Sequence, residues 1–223
     1  MTITSREKQK IVRAAVGWIG GLTAIVICWI GLRIVMVFHN YFPPDFQHGF
    51  LAGRQSYFWT SVYGAGFYLH IIGAPIALLS GLTQFSRGLL SWSPRLHRLL
   101  GRIYAIAVIL AAAPGGLVIG IRTFAGPSAA VCFVVMSLLV SLSTVLAWTA
   151  ALQRCFTSHR RWMTRSYLLM VSAILLRLID PALRNAGVPD TLSYQWSVWL
   201  SWVPSLVLFE LLERWRTPTQ TRQ

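Results

Sequence analysis

Six stretches of this chain are long and apolar enough to compete for a lipid bilayer, and that pattern constrains the fold more than any single motif. The hydrocarbon core is roughly 30 Å thick, so a helix needs about 20 mostly apolar residues to cross it. Runs of this kind fall at about 14–38, 60–85, 103–121, 128–152, 166–183 and 194–212. Of 223 residues, 55% are hydrophobic and only 12% charged, with a mean hydropathy of +0.58. A soluble domain has about a quarter of its residues charged, and a disordered one lacks such aromatic and aliphatic content. The sequence therefore predicts an all-α integral membrane helical bundle of six transmembrane helices. A four-helix core at 60–183 lies within a single membrane domain at 14–213, and the external loop is 39–59.

A net charge of +14 would ordinarily raise the question of a nucleic-acid partner. Its distribution answers otherwise. Short cytoplasmic loops hold the Lys and Arg excess, and with six spans one side collects fifteen of the 20 cations. These are Arg6, Lys8, Lys10 and Arg13; Arg87, Arg95, Arg98 and Arg102; Arg154, Arg160, Arg161 and Arg165; and Arg214, Arg216 and Arg222. The other side holds Arg54, Arg122 and Arg184, while Arg33 and Arg177 fall inside spans. Both termini, the basic tail 1–13 and the tail 214–223, are therefore expected to be cytoplasmic. The partner is the lipid bilayer, and no nucleic acid is needed. The first run lacks the small-residue cleavage site of a signal peptide and reads as a retained span. The last, with Trp196, Trp199, Trp202, Pro204 and Glu210, departs furthest from a regular crossing helix.

Cys28, Cys132 and Cys155 have no metal-ligand spacing, so neither a disulfide nor a metal site is assigned. No HExxH, GxSxG or Walker pattern occurs, which leaves a hydrolase without support and any catalytic residue unassigned.

Two basic loops resemble each other. One reads His97-Arg98-Leu99-Leu100-Gly101-Arg102-Ile103-Tyr104, the other His159-Arg160-Arg161-Trp162-Met163-Thr164-Arg165-Ser166-Tyr167. Each runs His-Arg, then Arg-x-Tyr, then an apolar span, as two hairpins related by a pseudo-two-fold axis along the membrane normal would. His97 and His159 then fall at similar depth on two helices. Two imidazoles so placed are what a bis-imidazole b-type haem requires, with arginines for its propionates. The competing reading makes Arg98, Arg102, Arg160, Arg161 and Arg165 ordinary boundary cations that bind anionic lipid.

A second constellation lies within the spans. His70 and Arg177 fall about 15 Å from opposite faces, hence near the midplane. A cation there needs a partner, and Asp180 at i+3 is the candidate. This intramembrane polar pair either locks its helix into the bundle or belongs to a polar site in which His70 is a further cofactor ligand. Gly64, Gly66, Gly73, Pro75 and Gly81 crowd the second span, and Pro114, Gly115, Gly116 and Gly120 the third. Close helix packing explains them, with a glycine-lined groove for a flat cofactor as the alternative.

The strings Tyr68-Leu69-His70, Ser93 through Tyr104, His159 through Tyr167 and Arg177 together resemble domain-of-unknown-function family 2306, a family of predicted bacterial membrane proteins, over about residues 66–183. The resemblance implies a multi-pass protein of the bacterial cytoplasmic (inner) membrane and brings no established activity. His70, His97 and His159 are also similar in placement to ligands of transmembrane di-haem cytochromes b, where four histidines from successive helices make two bis-histidine sites. The span 128–152 has no histidine, so at least one of those two sites cannot be built that way; His39 or His48 is available as an outer ligand for His70, but neither matches a position of that group.

Overall fold

The computed structural model describes residues 5–216; part of the 1–13 tail and most of the 214–223 tail, Arg222 included, lie outside the described residues. The chain divides into two compact units, the first ending at Pro43 and the second beginning at Pro44. In the first, α1 (Ser5–Met36) is one helix that already includes the basic positions 6–13, and a 3-10 turn, Val37–Asn40, follows it. Its described apolar part is Gly20–Met36, about 25 Å of helix.

The second unit starts with the segment expected to be a loop. It contains a 3-10 turn, Gly49–Leu51, and one turn of helix, α2 (Gln55–Phe58). An Asx turn opens it: Gln47 N–H donates to the Asp45 carboxylate at 2.8 Å and His48 Nδ1 lies 3.1 Å from the other oxygen. Those contacts, the Gln47 N–H first, hold the Asp45 carboxyl below its ordinary value. The turn therefore keeps this stabilisation above the ordinary value and loses it as pH falls through the depressed one. Phe58 and Tyr63 are buried and Phe58 meets Phe67 edge-on at 5.7 Å, so aromatic packing fastens this segment to the bundle.

The bundle itself consists of α3 (Tyr63–Thr83), the short α4 (Arg87–Trp92), α5 (Pro94–Ala107), a π-helical turn (Val108–Ala112), α6 (Ala113–Ile121), α7 (Pro127–Leu152), α8 (Phe156–Asn185), α9 (Asp190–Leu200) and α10 (Val203–Arg216). No β-strand occurs among the described residues. Among the described residues, four helices are long and apolar enough to cross a membrane: 63–83, the continuous 94–121, 127–152 and 156–185. The third and fifth thus begin nine and ten residues earlier than hydropathy placed them, because Ser93 caps the first (its Oγ accepts from Leu96 N–H at 3.3 Å) and Pro94 fits its first turn.

The last apolar run is not one helix. It breaks at Ser201 and Trp202, just before Pro204, and the two pieces, of 11 and 14 residues, are each too short to cross alone. Placed end to end they follow α8 antiparallel along its length. Ser193 donates to the Asp180 carboxylate at 2.8 Å near one end, and Glu213 meets Arg161 at 2.6 Å near the other. The nineteen residues from Arg161 to Asp180 cover about 28 Å of helix axis.

Glycine sets how closely α3 approaches α5 and α6. A methyl group built on Gly73 would lie 2.5 Å from Ala111 Cβ, one on Gly66 would lie 2.7 Å from Val118, and one on Gly115 would lie 2.6 Å from the backbone nitrogen of His70. Close packing therefore accounts for these glycines. At the far end of α3, a methyl on Gly81 would strike Tyr167 and Tyr104 at 2.6 and 2.7 Å. Gly115→Ala should lower stability by roughly 1–3 kcal/mol, the usual cost of overpacking. Gly20→Ala, with nothing within 4 Å, should not. Thermal unfolding of the two variants in detergent checks this, and equal midpoints would contradict it.

Candidate functional site

Pro114 has no N–H, so the regular α-pairing fails in the turn before it. The chain responds with the π-helical turn Val108–Ala112. His70 on α3 reaches this turn: its Nδ1 lies 2.7 Å from the Ala112 carbonyl oxygen. A carbonyl only accepts, so Nδ1 carries the proton and Nε2 keeps the lone pair of the neutral ring. Gly116 lies against the same imidazole, and Gly115 against the backbone nitrogen and Cβ of His70. His70 sits eight residues into α3, counting from Tyr63, and Arg177 sits eight residues before the end of α8. Arg177 is thus displaced from the expected midplane toward one end of the bundle, because α8 starts at Phe156 rather than near 166. Arg177 Nη1 donates to its own helix at Ala173 (2.9 Å). The ion pair that the structure gives Asp180 is with Arg184, at 2.9 Å. Arg184 lies one turn on at i+4, a spacing at which helical side chains meet. His48 is turned to Asp45.

At the opposite end, α5 and α8 run parallel and in a fixed register. The Tyr104 hydroxyl meets Ser166 Oγ at 2.5 Å, and Ser166 meets Thr144 Oγ1 at 2.7 Å. Thr144 donates to the Val140 carbonyl at 2.6 Å. With that donation fixed, Ser166 must give its proton to Thr144 and Tyr104 its proton to Ser166, so the chain of hydroxyls is ordered and complete. All three side chains are buried. Tyr167 OH donates to the Leu78 carbonyl of α3 at 3.0 Å, closing the fourth side.

This network decides where the histidines go. His97 precedes Tyr104 by seven residues, and His159 precedes Ser166 by seven. Seven residues are two turns, about 10 Å, and return nearly to the same helix face. Each histidine is the fourth residue of its helix, and the two imidazoles lie within electrostatic reach of each other. His159 Nδ1 is 2.8 Å from the Ala147 carbonyl oxygen of α7, so this ring too carries a proton on Nδ1 and donates it to a carbonyl. Fixing an imidazole through its other nitrogen is how metal-ligating histidines are oriented. The Nδ1 of His97 is buried and has no partner. Among the described residues no group of three or more His, Cys, Asp and Glu side chains comes together, so the donor set here is two imidazoles.

The five candidate anion-binding arginines separate into two groups. Arg98, Arg102 and Arg160 are exposed. Arg165 is instead bound in a bidentate pair to Glu210, at 2.6 and 2.9 Å, and stacks on Trp162 (4.5 Å) and Phe209 (5.3 Å). Arg161 pairs with Glu213. These two hold α10 against α8, a role that no local pattern signals. They also border a cavity of about 760 Å³ at the start of α8, with Arg154, Phe156 and Trp162. Cys155 at the N-cap supplies no side-chain cap there.

An all-helical bundle with four membrane-length apolar helices defines this chain as a helical membrane protein. It belongs to the family described as predicted membrane protein DUF2306, whose match covers residues 67–213 and so takes in α9 and nearly all of α10 as well as the four long helices. No curated protein and no solved structure matches the chain.

Arg165→Ala and Glu210→Ala should each loosen α10, and the double variant should cost less than the sum. A coupling of about 0.5–1 kcal/mol is expected for a bidentate but partly exposed pair. A double-mutant cycle on thermal or urea unfolding in detergent checks it, and strict additivity would refute the pairing.

Proposed function

We propose that this protein is a multi-pass component of the bacterial cytoplasmic membrane that binds a redox cofactor of the b-haem type between His97 and His159. The observation that carries the reading is the shared seven-residue step from the Tyr104–Ser166 hydrogen bond back to the two histidines. It supports two imidazoles at one height on facing helices, one of them already oriented through its Nδ1. The donor set fits: two imidazoles would hold the iron of a b-type haem, and the buried, unpartnered Nδ1 of His97 marks a polar atom whose environment is incomplete. His97 and His159 would hold the iron, and exposed Arg98, Arg102 and Arg160 would neutralise carboxylates at the boundary. Such a group, when bound, supplies one-electron transfer. The Ala147 carbonyl keeps the His159 ring oriented. His70, clasped by Gly115 and Gly116, serves the packing of α3 rather than the cofactor.

The topology of this reading has α1, the four long helices and the bent α9–α10 pair as six passes, with both termini cytoplasmic, because the cations gather at the end where α5 and α8 begin. A reporter fused after α10 should be active only in its cytoplasmic form; activity of a periplasmic reporter there would reverse the assignment.

Protein purified from a haem-replete host should show a Soret band and, after dithionite, sharp α and β bands. Both should vanish in His97→Ala and His159→Ala and persist in His70→Ala. A colourless, folded protein after haem supplementation would rule the reading out. The second reading, a non-enzymatic lipid-binding or assembly subunit, is favoured by the basic cavity at the start of α8. In that case native mass spectrometry should find anionic lipid retained, and less of it in Arg98→Ala plus Arg160→Ala.

A further inference from the structure

Helix α7 ends on a left-handed residue, as many helices do. Arg154 N–H donates to the Ala151 carbonyl at 3.1 Å and Cys155 N–H to the Ala150 carbonyl at 2.9 Å. Glycine is the usual choice at such a position, because a Cβ crowds the following carbonyl there. This chain has Arg154 instead, at φ 60°, whereas every other positive-φ position among the described residues is a glycine.

The arginine kept at that position lines the cavity at the start of α8. Thr157, Ser158, Arg161, Trp162 and Arg165 line it too, and its volume of about 760 Å³ is within the range of small-ligand pockets. Arg161 and Arg165 are matched by Glu213 and Glu210 from α10. Arg154 has no ion pair among the described residues, so three guanidiniums against two carboxylates leave the cavity one positive charge. No side chain caps the first turn of α8, and the N–H groups of Thr157 and Ser158 have no intrahelical acceptor. A free guanidinium, two N–H groups and two hydroxyl residues offer more donors than the two oxygens of a carboxylate take up. A phosphate with a single negative charge matches both the charge and the donors. The Trp162 ring, on which Arg165 stacks at 4.5 Å, adds an apolar wall for the group that the phosphate carries.

We propose that Arg154, Thr157 and Ser158 form, in this cavity, a binding site for a singly charged phosphate oxoanion. Arg154 supplies the charge and the first turn of α8 the remaining donors, while Arg161 and Arg165 stay with α10 and hold the wall in place. The same chemistry is presented by a free phosphate and by the phosphodiester of a phospholipid headgroup. The site does not depend on a cofactor at His97 and His159; it deepens the lipid-binding reading above and rests on that reading only where the phosphate is a lipid's.

The test uses the full-length protein in detergent. Thermal unfolding is followed against inorganic phosphate, with chloride at equal ionic strength as control, and separately in mixed micelles with phosphatidylglycerol, with phosphatidylcholine as control. A rise in Tm with inorganic phosphate identifies a free oxoanion, and a rise with phosphatidylglycerol alone identifies a lipid headgroup; either supports the site. Arg154→Gly should fold at least as stably as the wild type without ligand, because glycine takes the left-handed conformation freely. It should nevertheless raise the half-saturating concentration of the stabilising probe by about tenfold, as loss of a charge-assisted hydrogen bond does. Arg95→Gln, which removes an exposed cation of α5, should leave that concentration unchanged. The proposal is overturned if neither probe stabilises the wild type beyond its control, if Arg154→Gly responds like wild type, or if Arg95→Gln weakens the response as much as Arg154→Gly. Native mass spectrometry separates the site from the reading it deepens. Retained anionic lipid that is undiminished in Arg154→Gly overturns the site and leaves the lipid-binding reading standing, while a response to inorganic phosphate without retained lipid supports the site and removes that reading.

Discussion

A helix carbonyl has two lone pairs and can accept a side-chain donor from a neighbouring helix, and this bundle is organised by two histidines that use that capacity. Pro114 leaves the Leu110 carbonyl without the N–H four residues on, the π-helical turn absorbs the interruption, and the nearby Ala112 carbonyl accepts from His70 on α3. The bond needs the two helices unusually close, which is why Gly66, Gly73 and Gly115 line the contact. His159 makes the same kind of bond to Ala147 between α7 and α8. Two histidines thus cross-brace neighbouring helices, each donating through Nδ1 to a carbonyl of the next helix.

The hydroxyl chain from Tyr104 through Ser166 to Thr144 then sets the register between the two helix pairs. Without it α5 and α8 could slide by a turn, and His97 and His159 would lose their common height. Arg165 and Arg161 extend the arrangement to α10 through Glu210 and Glu213, which makes the broken final segment part of the bundle. The family match ending at residue 213 agrees with that boundary.

Much of this was legible in the sequence, for identifiable reasons. Hydropathy reveals long apolar runs because each must satisfy the same membrane thickness, and the glycine crowding in the second and third runs marked their close approach. The starts of α5 and α8 were placed too late because Arg95, Arg98, Arg102, Arg160 and Arg161 look like loop in a hydropathy reading, although cationic residues are good helix formers. The tie between Arg165 and Glu210 spans 45 residues, and nothing local announces it. The break at Ser201 and Trp202 was hidden by the tryptophans that keep the run apolar. For the histidines, the repeat was visible but its meaning was not. The first loop spaces His and Tyr by seven and the second by eight, and the mismatch resolves only when Ser166, not Tyr167, is seen to face Tyr104.

The central claim is that His97 and His159 form one ligand pair while His70 is a structural brace. Nitrogen-15 NMR of histidine-labelled protein in detergent, recorded before and after titration with haem, addresses it directly. In the apo-protein His70 and His159 should both show a protonated Nδ1 that donates to a carbonyl. On titration, the Nε2 signals of His97 and His159 should shift or broaden together at one equivalent while His70 stays unchanged. Haem that perturbs His70 first, or leaves His97 and His159 untouched, would contradict it.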